Sequence, residues 1–125
     1  MLASVNAQRA QAGVGALSLC GTLTTAAQRH SEDQAAHNSM THTGSDGSTL
    51  GTRAGRAGYN GWTALGENVA YGYTGVDSVM TGWMNSSGHR ANILSSTYTH
   101  VGFGRATSGS GTEYWTQDFG RSGAC

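Results

Sequence analysis

Val76, Val79, Met80, Trp83 and Met84 recur at i, i+3, i+4, i+7 and i+8, the apolar stripe of an amphipathic helix over Val76–Asn85. A helix patterned this way has to bury its stripe against other elements, and this chain has few large aliphatic side chains to meet it. Of its 125 residues, 49 are Gly, Ser or Thr and only 37% are hydrophobic. Three Trp, five Tyr and two Phe nevertheless supply enough area for one core. The length suits one domain, so a single unit over residues 1–125 is expected.

The remaining pattern alternates between helical and extended segments. Leu2 to Ala12 predicts a first helix closed by Gly13, and Thr22 to Asn38 a second. The inner stripe of that second helix is Leu23, Ala26, Ala27, His30, Gln34 and His37, and its alanines suit close packing. A polar loop over Thr41–Ser48 leads to a short helix ending at Ala57, with Asp46 or Ser48 as its cap. Glu67–Tyr73 predicts a strand and Gly88–Leu94 a short helix. Val101, Phe103 and Arg105 alternate along a strand that turns through Ser108–Gly111 and returns over Glu113–Phe119. The expected class is α+β, with helices packed on a small sheet.

Charge narrows the function. The basic residues are seven Arg and no Lys, balanced by seven acids, so no positive cluster is available for a phosphate backbone and a nucleic-acid partner is not expected. No segment approaches the roughly 18 apolar residues of a transmembrane helix. The Met1–Asn6 stretch lacks the charged and apolar regions of a secretory signal. Cys20 and Cys125 are the only cysteines. Joined, they would staple the tail and mark an exported protein; unjoined, they would be the free thiols of a cytosolic one. The bridge, and with it a secreted location, is the expectation.

Five histidines stand out against so few charges. His30 and His37 are seven apart on one helical face, which predicts a helix–helix contact, and His100 reads as a surface position. His42 and His89 lie in glycine-flanked stretches, Thr41-His42-Thr43-Gly44 and Ser87-Gly88-His89-Arg90, where binding residues concentrate. Glu67 is a lone acid in the weakly polar run Leu65–Ala70, so its carboxylate needs a partner. Two imidazoles and a carboxylate suit a divalent cation, zinc above all, or a general base with its orienting group. No Gly-x-Ser-x-Gly elbow surrounds Ser86 or Ser87, so no activated serine is expected.

Three ordered strings add a resemblance. Gly66-Glu67-Asn68-Val69-Ala70, Trp83 through Leu94, and Tyr114 through Gly120 resemble the bacterial branch of the CAP superfamily, the SCP domains of cysteine-rich secretory, antigen five and pathogenesis-related proteins. Asn6-Ala7-Gln8-Arg9 and His42-Thr43-Gly44 fall in that family's order, and the resemblance runs from Leu2 to Gly120. It implies an α–β–α sandwich with a small, mainly antiparallel sheet and a cleft lined by two His and two Glu that can hold a divalent cation. His42 matches the first histidine, Glu67 the glutamate of the Gly-Glu-Asn string and His89 the second histidine; Trp83–His89 contains no acid to match the second glutamate. The implied function is an exported ligand-binding module for a lipid, sterol or cell-envelope molecule, with Tyr71, Tyr73 and Tyr114 as amphipathic contact surface. The alternative is a peptidase-like hydrolase in which zinc on His42 and His89 acidifies a water and Glu67 acts as catalytic base.

Overall fold

A computed structural model describes residues 1–125. Along the chain run α1 (Leu2–Gln11), β1 (Ser18–Leu19), α2 (Gly21–His37), α3 (Leu50–Arg56), β2 (Ala64–Tyr71), α4 (Val76–Met84), α5 (Ser87–Leu94), β3 (His100–Thr107) and β4 (Glu113–Arg121). The strands form one sheet in the order β1-β3-β4-β2, antiparallel except for the short parallel pairing of β1 with β3. Helices α1, α4 and α5 cover one face and α2 with α3 the other, which is the expected α–β–α sandwich.

The two faces of the sheet are built differently. On the first, Val5 of α1, Val79, Met80 and Trp83 of α4 and Ile93 of α5 pack on Ala70, Val101, Trp115 and Phe119 to form the main apolar core. Arg9 is buried in the same layer, and its guanidinium donates to the carbonyls of Gly15, Ile93, Ser95 and Tyr98, which ties the loop after α5 to α1. The opposite face carries Gly102, Gly104, Thr116 and Asp118, small or polar residues over which α2 lies with Leu23, Ala26, Ala27, His30, Ser31 and Gln34 turned inward. Ser31 and Gln34 bond Thr116 Oγ1 at 2.7 and 3.2 Å. The abundance of Gly, Ser and Thr thus has a structural use: it lets a helix lie on a sheet with almost no side chain between.

Several boundaries differ from the sequence reading. The α2 stripe stops short of His37, which points to solvent and bonds within its own helix to Asp33 O. His30 packs on the loop after α2 and on the sheet rather than on a second helix. Thr49, not Asp46 or Ser48, caps α3, accepting from Thr52 N. The predicted strand ends at Tyr71 because Gly72 turns the chain with φ +88°. His100 is half-buried, with Tyr59 Oη 2.9 Å from its Nδ1. The two-residue β1 was not foreseen, being too short to show alternation.

Cys20, at the start of α2, is joined to Cys125, and Thr22 Oγ1 donates to Ala124 O at 2.7 Å beside the bridge. The bridge spans 105 residues, so reducing it, or replacing Cys125 with Ser, is expected to cost about 2–4 kcal/mol. The melting temperature, read by calorimetry with and without reductant, should fall by roughly 10 °C.

Candidate functional site

Strand β2 is an edge of the sheet, and α4, α5 and the segment before β3 close over it. Every second carbonyl of its outer side is taken: Tyr98 Oη donates to Leu65 O, Asn92 Nδ2 to Glu67 O and Trp83 Nε1 to Val69 O, at 3.1–3.2 Å. The edge is protected against pairing with another strand, and Asn92 and Trp83 hold the neighbourhood of Glu67 in place.

Glu67 points to the α2/α3 face, its side chain only 2% exposed. Arg53 of α3 grips it with Nη1 on Oε2 at 2.7 Å and Nη2 on Oε1 at 3.2 Å, while Nη2 also donates to His42 O at 2.5 Å. His42 lies in the loop between α2 and α3 and donates from Nδ1 to Glu67 Oε1 at 2.9 Å, leaving the rest of its ring 60% exposed. Asp118 of β4 is opposite Glu67 in register and fully buried, with no N–H donor reaching either of its oxygens.

These contacts set the protonation states. Burial alone would raise the Glu67 pKa; hydrogen bonds from His42, Asp118 and Arg53 outweigh it and hold the group at about 2. Burial, then the Glu67 hydrogen bond and charge, drive Asp118 the other way, so it is the protonated member of the pair and the one able to donate to Glu67. The hydrogen bond to Glu67 raises His42. Burial lowers His30, whose Nε2 donates to Thr41 O at 2.6 Å and stands 3.9 Å from Glu67 Oε1.

His89, in the first turn of α5, stands apart from this cluster. Its Nδ1 lies 2.9 Å from Ser86 Oγ, and its pKa is lowered by burial and then by the charge of His42. His89 is one of the residues lining an open groove of about 580 Å³, together with Met40, Val69, Ala70, Tyr71, Tyr73 and Trp83 among others. Tyr71 and Tyr73 are exposed there, and Tyr71 stacks on Tyr114 with centroids 6.0 Å apart. Both Glu67 oxygens are already bonded, and neither His42 nor His89 belongs to a cluster of three or more His, Cys, Asp or Glu donors. The single three-donor cluster is Cys20, His100 and Cys125, whose sulfurs are consumed by the disulfide. Of the candidates His42, Glu67 and His89, the first two meet and His89 stands apart. Arg53 and Asp118 are not singled out in the sequence, and His30 reads there only as a helix–helix contact; the one signal toward Arg53 is that the Glu67 carboxylate needs a partner.

The family profile of CAP, the Cysteine-rich secretory protein family, matches residues 2–119. The chain belongs to the CAP family. This CAP domain is 37% identical over 116 residues to the YkwD protein of Bacillus subtilis, covering 91% of the chain and 43% of that protein. It is also 37% identical over 90 residues to the B. subtilis membrane protein YlbC, of which it covers 24%. The CAP domain therefore spans less than half the length of either relative. Among solved structures, it superimposes on an extracellular SCP-domain protein of Bacillus anthracis with a TM-score of 0.84 at 30% identity, covering 94% of this chain and 38% of that one. An outer surface protein of Borrelia burgdorferi shares the fold with a TM-score of 0.87 at 20% identity, over 96% of this chain and 88% of that one.

Proposed function

We propose that this CAP domain is an extracellular binding module that takes an apolar, lipid-like or cell-envelope ligand in the groove beside His89, with His42 and His89 holding a divalent cation at its mouth. The observation that carries this reading is the groove itself: about 580 Å³ of concave, largely apolar space with two exposed tyrosines and a titratable imidazole in its lining. The extracellular placement draws support from the Cys20–Cys125 bridge and from the similar B. anthracis protein, which is extracellular.

The donor set favours a cation held by imidazole and completed by non-protein ligands. With Nδ1 bonded to Glu67, His42 keeps Nε2 for a metal, and His89 is oriented in the same way by Ser86. Glu67 acts here as the orienting carboxylate. Its closed set of partners and pKa of about 2 make it a poor proton acceptor near neutrality, which is why binding is preferred to hydrolysis. If bound, zinc would supply Lewis acidity at the groove mouth.

Calorimetric titration of the protein with zinc at neutral pH is expected to show saturable binding that His42→Ala and His89→Ala each abolish. Binding that survives either substitution would move the ion elsewhere. A fluorescent fatty acid is expected to bind saturably and to lose about tenfold in affinity in Met40→Glu, which puts a charge on an exposed groove residue. An unchanged affinity would remove the groove from the proposal.

A further inference from the structure

Cys20 follows β1 and His100 opens β3, and the parallel pairing of these two strands brings the residues together. Cys125 joins them, so that both sulfurs and a ring nitrogen of His100 all lie within 4.8 Å of one another. In the oxidised chain the sulfurs are bonded to each other, and only the imidazole is left as a ligand. Reduction changes the chemistry of the cluster. Two thiolates and one imidazole are the donors of a zinc site with its fourth position open to solvent.

The surroundings suit that set. Sulfurs that share a tetrahedral zinc stand about 3.8 Å apart, given Zn–S bonds of about 2.3 Å. Cys20 is buried at the start of α2 whereas Cys125 is exposed, so Cys125 is the side chain that can turn to open this separation. Two hydrogen bonds keep it at hand without the bridge. Ala124 N donates to Asn60 O at 3.0 Å, and Thr22 Oγ1 donates to Ala124 O at 2.7 Å. The imidazole is held as well. Tyr59 Oη lies 2.9 Å from His100 Nδ1, and the buried tyrosine ring packs edge-on against the histidine. Metal-binding histidines are commonly oriented by such a partner.

Exposure also sets the route of reduction. A thiolate of an external dithiol attacks Cys125 Sγ, the exposed member of the bridge, and Cys20 leaves as a thiolate. The second thiol of the reductant then attacks the mixed disulfide and frees Cys125. Two electrons pass to the bridge, and the dithiol departs as a disulfide. Its two thiol protons are carried by the cysteines and are released to solvent when zinc takes both as thiolates.

We propose that Cys20, His100 and Cys125 form a redox-gated zinc site, filled once a dithiol has opened the bridge and emptied by the reverse exchange with a disulfide. None of the three residues lines the groove, and the site depends on sulfur where an ion on His42 and His89 would depend on imidazole.

The test uses the full chain, reduced with a phosphine under argon and freed of reductant, with cobalt(II) as a coloured stand-in for zinc. The reduced chain is expected to develop a thiolate-to-cobalt charge-transfer band that saturates at one equivalent and is bleached by zinc. The oxidised chain should show none, and an ion on His42 and His89 contributes nothing to a sulfur band. His100→Gln should weaken cobalt binding by about tenfold or more. Cys125→Ser lacks the bridge just as the reduced chain does, so any cost to folding is matched, and it should lose at least as much. No band on reduction, or an affinity unchanged in either variant, would overturn the proposal. Melting temperatures give a readout that holds even where reduction loosens the fold. In a His89→Ala background, which removes the groove ion, one equivalent of zinc should raise the melting temperature of the reduced chain by several degrees and leave the oxidised chain unmoved. A reduced chain that melts alike with and without zinc, or an oxidised chain that shifts as far, would also overturn it.

Discussion

Glu67→Gln is expected to cost about 3–5 kcal/mol at neutral pH, a large part of the stability of a domain this size. The carboxylate is 2% exposed and takes a two-point grip from Arg53 together with the Nδ1 proton of His42. An amide in its place offers one acceptor and sets an NH2 group against one of these donors, so Arg53 keeps its charge in a buried site with no counter-charge. The acid limb of the stability profile should change with it. Glu67 titrates at about 2 in the folded chain against an ordinary 4.5, so its contribution is complete above about pH 4.5 and disappears as the pH falls toward 2. Asp118 has the opposite sign: its raised pKa favours the folded state below 3.8, and that contribution declines as the pH rises toward its folded value. Urea unfolding of wild type and Glu67→Gln between pH 7 and 2.5 separates the two, since only wild type should show a loss across pH 4.5 to 2 attributable to Glu67. Asp118→Asn, which removes a carboxyl whose pKa burial raises and keeps a donor toward Glu67, should change stability by less than about 1 kcal/mol. A Glu67→Gln variant as mild as Asp118→Asn would mean that water, not Glu67, neutralises Arg53.

This contrast shows where the sequence was readable. The main core announced itself because Val79, Met80 and Trp83 repeat with the helical period, and β3 and β4 because apolar residues alternate around a Gly/Ser turn. The family strings identified the fold and brought His42 and Glu67 together, and they meet at 2.9 Å. What stayed hidden was the polar layer beneath α2. Asp118 stands in the string Trp115–Gly120 between residues that read as plain strand, and nothing local says that its neighbour across the sheet is another acid, Glu67. Arg53 lies in a short helix with Arg56, yet one is buried on Glu67 and the other exposed on Asp46. Ion partners set by strand register and helix docking leave no periodic trace in one chain. His37 was misplaced for a related reason: the helical period continues to the end of α2, but the sheet beneath it does not.

Gly102→Ala is expected to cost more than about 4 kcal/mol and to be among the most damaging single substitutions in the chain. The glycine lies in β3 directly beneath α2, where a Cβ would press on the backbone of Leu23 and Thr24, far inside the 3.4–4 Å of ordinary contact. No rotamer change relieves such an overlap, because the obstacle is the helix itself, and α2 would have to lift from the sheet. Gly104 meets Ala27 and Gln28 in the same way one turn further along, so tilting the helix about one contact tightens the other. Gly109, in the β3–β4 turn with open space around it, is the matched control, and its change to Ala should stay within about 0.5 kcal/mol. The effect should also reach the site. Gly102 is paired in register with Asp118, and the close approach of α2 is what keeps water from that carboxyl and seats His30 against Thr41 O. If Gly102→Ala folds at low temperature, the Asp118 carboxyl carbon should titrate at lower pH than in wild type, since burial is the first cause of its raised pKa. Melting temperatures that match for Gly102→Ala and Gly109→Ala would show that α2 does not rest on the bare backbone of β3, and the dry carboxyl pair would then need another explanation.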